Sequence, residues 1–303
     1  MKQANNEKSK IWLSPPHIGG REKDFLIETL QQNWISTYGE NIDVFETQLS
    51  DFLEIDKEDN IAALSSGTAA LHLALIILGV KASDEVICQS FTFSASANPI
   101  VYQGAKPVFV DSETNTWNMC PKALETAIED RINKGKKPKA IIIVHLYGMP
   151  AKMDELLRIS QKYDIAIIED AAEALGSSYN GKKCGTFGEL SILSFNGNKI
   201  ITTSGGGALV CKTKEHKDKA IFLSTQARDN APHYQHSEIG YNYRMSNVSA
   251  GIGRGQMEVL EERIAQRRAN HQFYLDLFKD VKGVTVFAEP SENYFSNHWL
   301  SAI

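Results

Sequence analysis

The sequence predicts an α/β protein built around a largely parallel β-sheet. Short apolar runs of β-like composition alternate with amphipathic stretches of about ten to fifteen residues, which is typical of repeated βαβ units. These runs are continuously apolar, as expected for strands that helices cover on both faces. The length of 303 residues and the hydrophobic content of 42% are sufficient for a substantial buried core.

The alternation can be followed along the first part of the chain. Residues 61–64 (IAAL) precede a helix predicted over about 67–78. Four further apolar runs each precede a predicted helical stretch: 85–90 before 94–104, 106–111 before 121–130, 139–148 before 153–164, and 165–170 before 171–176. Ligands of open α/β sheets bind at the carboxyl ends of the strands, so the residues after each run are the candidates for a site.

The pattern changes from Gly188 onward. Three strand-like segments follow one another, and a long charged helix is predicted after them: 189–195, 199–204 and 207–212, then 247–278. We expect a large domain over residues 1–250, with an N-terminal arm at about 1–20, and the start of a smaller domain at 251–303. The sequence ends inside an apolar run (SNHWLSAI), so we expect the smaller domain to be incomplete.

Composition excludes several classes of function. A net charge of -5 provides no global attraction to nucleic acid or to an anionic membrane. The longest apolar stretch, residues 69–80, is too short to span a bilayer, and the polar N-terminus lacks the apolar core of a signal peptide. The four cysteines (Cys88, Cys120, Cys184, Cys211) lack the spacing of zinc sites. We therefore expect a cytoplasmic protein with reduced thiols and no metal.

Two strand ends carry candidate polar groups. After the first run, residues 65–70 (SSGTAA) place hydroxyls and small residues in the first turn of a helix, where free N–H groups and the Thr68 hydroxyl suit a phosphate. An ordinary helix N-cap is the alternative. After residues 165–168 come Glu169 and Asp170, whose carboxylates need a partner such as a protonated nitrogen at the end of a buried strand. The alternative is a cap for the next helix.

Aromatic and basic groups follow other strand ends. The SFTF segment (90–93) contains Phe91 and Phe93, which form either core or a flat platform for a ligand. Lys199 lies beside Ser194 and ahead of a glycine triplet in SGGGA (204–208). It is either a surface charge at a strand end or a buried nucleophilic amine. The triplet matches no phosphate-loop pattern, and we interpret it as a close passage of backbone.

Together these groups match the needs of pyridoxal 5'-phosphate (PLP). The cofactor takes a helix start for its phosphate, a flat aromatic for its ring, a carboxylate for its ring nitrogen and a lysine for its aldehyde. Lys199 is then the lysine that forms the Schiff base and moves protons.

At these residues the chain resembles the DegT/DnrJ/EryC1/StrS family of sugar aminotransferases, which have the aspartate aminotransferase-like PLP fold type I. The resemblance covers nearly the whole chain. The motifs that carry it are LSPPHIGGRE, NWISTYGENIDVFE, SSGTAALHLAL, FTFSASANPIVYQGAKPVFVD, VHLYGMPAKMDEL, IIEDAAEALGS, SFNGNKIITTSGGGALV and GYNYRMSNVSAGIG. It implies a PLP-binding large domain with a mostly parallel seven-stranded sheet flanked by helices.

The resemblance also implies a role for individual residues. Lys199 and Asp170 are the catalytic residues, as the Schiff-base lysine and the partner of the pyridinium nitrogen. Phe93 stacks on the cofactor ring. The phosphate is held by Gly67, Thr68 and Ser194, and by Asn242 from the neighbouring subunit of a homodimer with shared active sites. Residues 34–38 contact the nucleotide-sugar. Glu173 occupies a cofactor-contact position that His or Gln often holds in the family, which leaves its contact open.

The expected function is transfer of an amino group from glutamate to a keto nucleotide-sugar for bacterial surface glycans. UDP-4-keto-6-deoxy-N-acetylglucosamine is the substrate that the motifs suggest, and a 3-keto sugar or another nucleotide remains an alternative. The presence of Lys199 disfavours the dehydratase branch, which has histidine there. A catalytically silent relative that senses a ligand is a further alternative, which Lys199 and Asp170 disfavour. A pyridine-nucleotide dehydrogenase is weakened by the absence of a GxGxxG motif after an early strand.

Overall fold

The elements of the chain follow the predicted alternation closely. The computed structural model describes residues 10–55 and 60–303. Its strands are β1 Ile61–Leu64, β2 Glu85–Gln89, β3 Lys106–Val110, β4 Ala140–Val144, β5 Ala166–Asp170, β6 Ser178–Tyr179, β7 Lys182–Lys183, β8 Leu190–Ser194, β9 Gly207–Cys211 and β10 Tyr294–Phe295. Its helices are α1 Glu22–Gln31, α2 Glu40–Phe52, α3 Gly67–Ile77, α4 Asn98–Tyr102, α5 Pro121–Asn133, α6 Met153–Tyr163, α7 Lys214–Ser224, α8 Asn247–Met257 and α9 Leu260–Phe278.

The main sheet has seven strands in the order β1-β9-β8-β5-β4-β2-β3. The five strands from β8 to β3 are parallel neighbours, and β9 runs antiparallel to both β8 and β1. The predicted mostly parallel seven-stranded sheet is thus confirmed. A small separate sheet has the order β10-β6-β7.

Helices cover both faces of the main sheet. Alternate residues of β4 show the two faces, since Ala140 and Ile142 pack in one core cluster while Ile141 and Ile143 pack in another. The first cluster lies under α3 and α7, and the opposite face packs against α5 and α6 and, further along, against α2 and α8. This two-sided burial explains why the strand segments are continuously apolar.

Helix α8 packs closely against the N-terminal helices α1 and α2. A Cβ placed on Gly253 would lie 2.8 Å from the ring of Phe45, so this glycine lets the phenyl ring lie directly on the helix backbone. Phe45 in turn meets Phe195 edge to face at 5.2 Å between ring centroids. This packing anchors the segment after β8, which carries Lys199.

Three segments differ from the sequence-based expectation. Residues 171–176 form successive turns rather than a helix, and the side chain of Asn297 donates hydrogen bonds to the carbonyls of Glu173 and Leu175, so a distant segment sets their conformation. Residues 199–204 form no strand and instead fold back, with Thr203 donating its N–H to the carbonyl of Phe195. The helix predicted over 247–278 is divided at Glu258 and Val259 into α8 and α9.

The predicted division into domains at residue 250 stays a prediction. Residue 250 lies inside α8, which packs against α1 and α2. The first nine residues of the predicted N-terminal arm lie outside the described residues, and residues 10–20 of the arm contain no helix or strand.

Candidate active site

A cavity of about 340 Å³ opens at the carboxyl ends of the parallel strands. This is the position where open α/β sheets bind ligands, and the volume lies in the range of small-molecule sites. The residues predicted as site residues that line it are Gly67, Thr68, Phe93, Asp170, Glu173, Ser194 and Lys199. The lining also includes Ser96, Asn198 and Trp299, which the sequence did not single out.

The start of α3 forms one wall of the cavity. Ser66 is its N-cap and accepts a hydrogen bond from the N–H of Ala69 at 3.0 Å. The first N–H groups of a helix have no intrahelical partner, so those of Gly67 and Thr68 are available for an anion. Both interpretations of this segment are therefore compatible, because the cap lies at the start of the helix that would bind the anion.

Glycines allow the strands to approach this helix start. A Cβ on Gly67 would lie 3.1 Å from the Cβ of Ser194, and one on Gly207 would lie 2.3 Å from the backbone nitrogen of Gly67. The end of β8 and the start of β9 consequently pass directly beside the first turn of α3. The glycine triplet thus provides a close backbone passage, as interpreted from the sequence, and it brings the Ser194 hydroxyl beside the helix start.

Asp170 ends β5 and faces the cavity with a buried carboxylate. The hydroxyl of Ser96 donates a hydrogen bond to its Oδ2 at 2.6 Å, and the N–H of Ala172 lies 3.2 Å from its Oδ1. These bonds hold the carboxylate in one orientation beside the cavity. The group is suited to accept a hydrogen bond from a protonated nitrogen of a ligand.

The neighbouring Glu169 faces the opposite side of the sheet and is fully buried. Its Oε1 accepts hydrogen bonds from His145 Nε2 at 2.8 Å and from the N–H of Gly185, and its Oε2 accepts from Phe187, Gly188 and Ser191. Burial works to raise the pKa of Glu169, but these hydrogen bonds hold it below the ordinary value. Glu169 therefore has a structural role beneath the site.

A buried cluster lies on that same side, formed by His145, the carboxylate of Glu169 and Cys184. Both ring nitrogens of His145 are engaged, since Nδ1 accepts from the N–H of Ala151 at 2.9 Å while Nε2 donates to Glu169. Burial raises the pKa of the Cys184 thiol. The polar atoms of this cluster thus bind each other and the backbone. All four cysteines are free thiols, as expected.

Lys199 extends into the cavity from the turn after β8. Its Nζ lies 3.4 Å from Oε1 of Glu173 and 4.3 Å from the centroid of the Trp299 ring. The exposed fraction of its side chain is 12%. The interpretation of Lys199 as a surface charge is therefore wrong, and its amine lies inside the candidate site.

The remaining predicted residues lie around or outside this cavity. Phe93 is 72% exposed and lines the cavity, so it is not part of the core, and its role as a platform for a ligand stays a prediction. Asn242 is exposed and lies beyond this cavity, where its backbone bridges to Thr225. In the segment 34–38, Trp34 and Tyr38 are exposed, and Tyr38 lines a second groove with Arg228, Asp229 and Tyr234.

The residues that the sequence missed bind site residues from distant segments. Ser96 contacts Asp170 from 74 positions away. Asn297 donates to the carbonyls of Glu173 and Leu175 at 2.9 Å each, and the indole N–H of Trp299 binds the carbonyl of Asn198 at 2.7 Å. No local pattern marks these contacts, because each joins segments far apart in sequence.

The side chains present fit a pyridoxal phosphate group. A phosphate has free N–H groups at the start of α3, a pyridine nitrogen has the fixed carboxylate of Asp170, a ring has the exposed face of Phe93, and an aldehyde has the amine of Lys199. This donor set on a mostly parallel seven-stranded sheet defines a PLP-dependent enzyme of fold type I.

Comparison with known proteins gives the family. A sequence profile of the DegT/DnrJ/EryC1/StrS aminotransferase family matches residues 16–303, and the chain belongs to this family. It is 51% identical to EpsN of Bacillus subtilis (strain 168), which carries the name of a pyridoxal phosphate-dependent aminotransferase, over 97% of this chain and 75% of EpsN. It is 39% identical to GDP-perosamine synthase of Escherichia coli O157:H7, over 95% of this chain and 76% of that protein.

Solved structures support the same assignment. Spr1654 from Streptococcus pneumoniae, which carries the name of a sugar aminotransferase, is 29% identical in its PLP form and superposes with a TM-score of 0.86 over 97% of this chain and 77% of Spr1654. The predicted family, fold type I, cofactor and aminotransferase class are thus confirmed. Across residues 10–55 and 60–303, no helix is both long enough and apolar enough to cross a membrane.

Proposed function

We propose that this aminotransferase moves an amino group from glutamate to a keto nucleotide-sugar, in a cytoplasmic step of surface-glycan synthesis. The observation that carries the proposal is the convergence of Lys199 and Asp170 with the start of α3 in one cavity. A module that only senses a ligand has no use for a sequestered lysine amine opposite a fixed carboxylate. The family membership and the relatives' names support the sugar substrate.

The chain binds the cofactor through groups at three strand ends. The N–H groups of Gly67 and Thr68, with the hydroxyls of Thr68 and Ser194, hold the phosphate, and the positive end of the α3 dipole favours its charge. Phe93 stacks on one face of the ring. We also propose that residues 1–250 form the PLP-binding domain and that residues 251–303 begin the smaller one.

Bound pyridoxal phosphate supplies the electron sink that allows a proton to leave the amino-acid carbon. Asp170 keeps the ring nitrogen protonated, which makes the ring a better sink. Nζ of Lys199 would hold the cofactor, and the freed amine would move the proton as base and then as acid. Because the amino group is held on the protein between the two substrates, the expected kinetics are ping-pong.

The active site is proposed to be shared between two copies of the chain. Asn242 is exposed and lies away from the cavity of its own chain, as expected for a residue that reaches the phosphate of a neighbouring subunit. The exposed Trp34 and Tyr38 are proposed to contact the nucleotide-sugar. The active form is therefore a homodimer.

Two nucleotide-sugars are the first substrates to test. The sequence motifs favour UDP-4-keto-6-deoxy-N-acetylglucosamine, and the similarity to GDP-perosamine synthase favours a GDP-linked keto sugar. A 3-keto sugar is the remaining alternative from the sequence.

The experiment incubates the PLP-loaded protein with glutamate and each keto sugar, and measures 2-oxoglutarate together with the mass of the sugar product. One of the sugars should gain an amino group at the rate at which 2-oxoglutarate forms. The Lys199→Ala variant provides the background rate. If glutamate yields 2-oxoglutarate while no keto sugar is aminated, the sugar assignment is wrong. If neither product forms above the background rate, the proposed transamination is wrong.

A further inference from the structure

The carboxylate of Glu173 lies directly beside the amine of Lys199. Its Oε1 is 3.4 Å from Nζ, and both side chains are nearly buried, with exposed fractions of 11% and 12%. An ion pair this protected from water is screened far less than a surface pair. Glu173 therefore exerts a direct electrostatic effect on the nitrogen that the proposed function places at the centre of the chemistry.

The protein holds this carboxylate in place from two sides. The backbone N–H of Tyr147 donates to Oε2 of Glu173 at 2.7 Å. Tyr147 has φ 56°, a left-handed backbone conformation that is unfavourable for residues other than glycine. The N–H that binds Glu173 thus belongs to a turn with this unusual conformation. Asn297 binds the carbonyl of Glu173 at 2.9 Å and so fixes its backbone.

Asn297 also packs against Gly148, the residue after Tyr147, so closely that no side chain fits there. A Cβ on Gly148 would lie 1.9 Å from Oδ1 of Asn297, so only glycine allows the turn and the amide to pack together. The Trp299 ring also contacts the amine, with its centroid 4.3 Å from Nζ. Nζ of Lys199 consequently contacts both an indole face and a carboxylate that a backbone N–H also binds.

We propose that Glu173 is a catalytic residue that exchanges a proton with Nζ of Lys199, an inference that rests on the proposed function. In one direction an N–H bond of Nζ breaks and an O–H bond forms on Oε1. In the other direction the proton returns to Nζ. No electrons are transferred and no further reactant is needed. With cofactor on Lys199, the ionised carboxylate keeps the lysine-bound nitrogen protonated at neutral pH.

The charged and titratable groups around Glu173 are consistent with this exchange. Burial raises the pKa of Glu173, the positive charge of Lys199 and the N–H of Tyr147 lower it, and the negative charge of Asp170 raises it, so the pKa lies above the ordinary value. A carboxylate with a raised pKa is a stronger proton acceptor than an ordinary one. Tyr147 itself contacts Glu173 through its backbone N–H.

The test is a pH titration of the absorbance of the PLP-loaded protein, followed without substrate. The isosteric change Glu173→Gln removes the charge but keeps an oxygen for the N–H of Tyr147. An opposite charge within about 4–6 Å shifts a titration by 1–3 units, so the midpoint at which the lysine-bound nitrogen loses its proton should fall by roughly 1–3 pH units. The matched control is Glu125→Gln, which removes a carboxylate from a distant lysine pair, with Lys162 at 2.7 Å. The control should leave the midpoint unchanged.

A second variant keeps the test decisive if Glu173→Gln does not fold. Glu173→Asp retains the charge but withdraws it from Nζ, and should lower the midpoint by less than the glutamine change. A cofactor band with a midpoint that moves with neither variant would overturn the proton exchange while leaving the proposed function intact. A wild-type protein that develops no band with PLP would overturn both.

Discussion

Replacing Glu169 by glutamine should destabilise the protein strongly although the two side chains have the same shape. Both carboxylate oxygens of Glu169 only accept hydrogen bonds, and donors face each of them. A glutamine presents one oxygen and one NH₂ group, so one set of donors must face another donor. The change therefore removes acceptor capacity that no rotation of the side chain can restore.

The cost can be estimated for both orientations of the amide. With the NH₂ group at the Oε1 position, His145 Nε2 and the N–H of Gly185 lose their acceptor. A tautomer change of His145 cannot help, because its Nδ1 already accepts from Ala151. With the NH₂ group at the Oε2 position, the N–H groups of Phe187 and Gly188 lose theirs, while the Ser191 hydroxyl can rotate. Either way two donors are left unpaired, at about 1–3 kcal/mol each, so the expected loss is about 2–6 kcal/mol.

The assay is urea unfolding at one fixed protein concentration, since assembly shifts apparent stability. The control is Glu125→Gln, which removes a partly exposed carboxylate from its ion pair with Lys162 and should change the free energy of unfolding far less than Glu169→Gln does. A loss below about 1 kcal/mol for Glu169→Gln would show that the buried carboxylate is not the acceptor for these donors, and would refute the reasoning.

Two further predictions concern charge. Asp170→Asn should reduce turnover by roughly ten- to a thousandfold, the equivalent of 1–3 pKa units at the ring nitrogen, with a smaller loss of PLP affinity because the phosphate contacts remain. Turnover and PLP titration measure this, and unchanged turnover would contradict it. Burial and the charge of His298 lower the pKa of His271 to about 4, Arg268 lowers it too, and Glu289 opposes them. Since its unfolded pKa is near 6.5, its contribution to stability is present above pH 6.5 and is lost as the pH falls towards 4. Between pH 7 and pH 5 the free energy of unfolding, measured in urea, should therefore fall by about 1–2 kcal/mol less for His271→Phe than for the wild-type protein. An equal loss would contradict the buried, uncharged state of His271.

The alternation of elements and the main site groups could be predicted from local sequence. Strands such as β4 and β5 are marked by uninterrupted apolar residues, because both their faces are buried. Because β5 and β8 are parallel neighbours, their carboxyl ends bring Asp170 and the segment of Lys199 to one edge of the sheet. The sequence therefore predicted the fold class and the convergence of these groups.

The segment after Asp170 was predicted incorrectly because its structure depends on distant partners. Residues 171–176 have helical composition, yet the side chain of Asn297, 124 and 122 positions away, donates to the carbonyls of Glu173 and Leu175 and holds this segment as turns. The sequence also did not show that Asp170 faces the cavity while Glu169 faces the opposite side of the sheet. Consecutive strand residues point to opposite faces, and only the packed structure shows which face opens to the cavity.

The partners of Lys199 could not be predicted for the same reason. Trp299 and Glu173 are far from Lys199 in the chain, at 100 and 26 positions. A lone tryptophan in an apolar run most simply predicts core. Contacts of this kind join segments that are far apart in the chain, so local sequence patterns do not predict them.

The most direct test of the central claim is to identify the residue that holds the cofactor. The protein is loaded with PLP, reduced with borohydride, digested and mapped by mass spectrometry, with Lys199→Ala treated in parallel. We predict that the cofactor mass is found on the peptide containing Lys199 and on no peptide of the variant. Cofactor attached to another lysine in the wild-type protein, or equally well in the variant, would contradict the account.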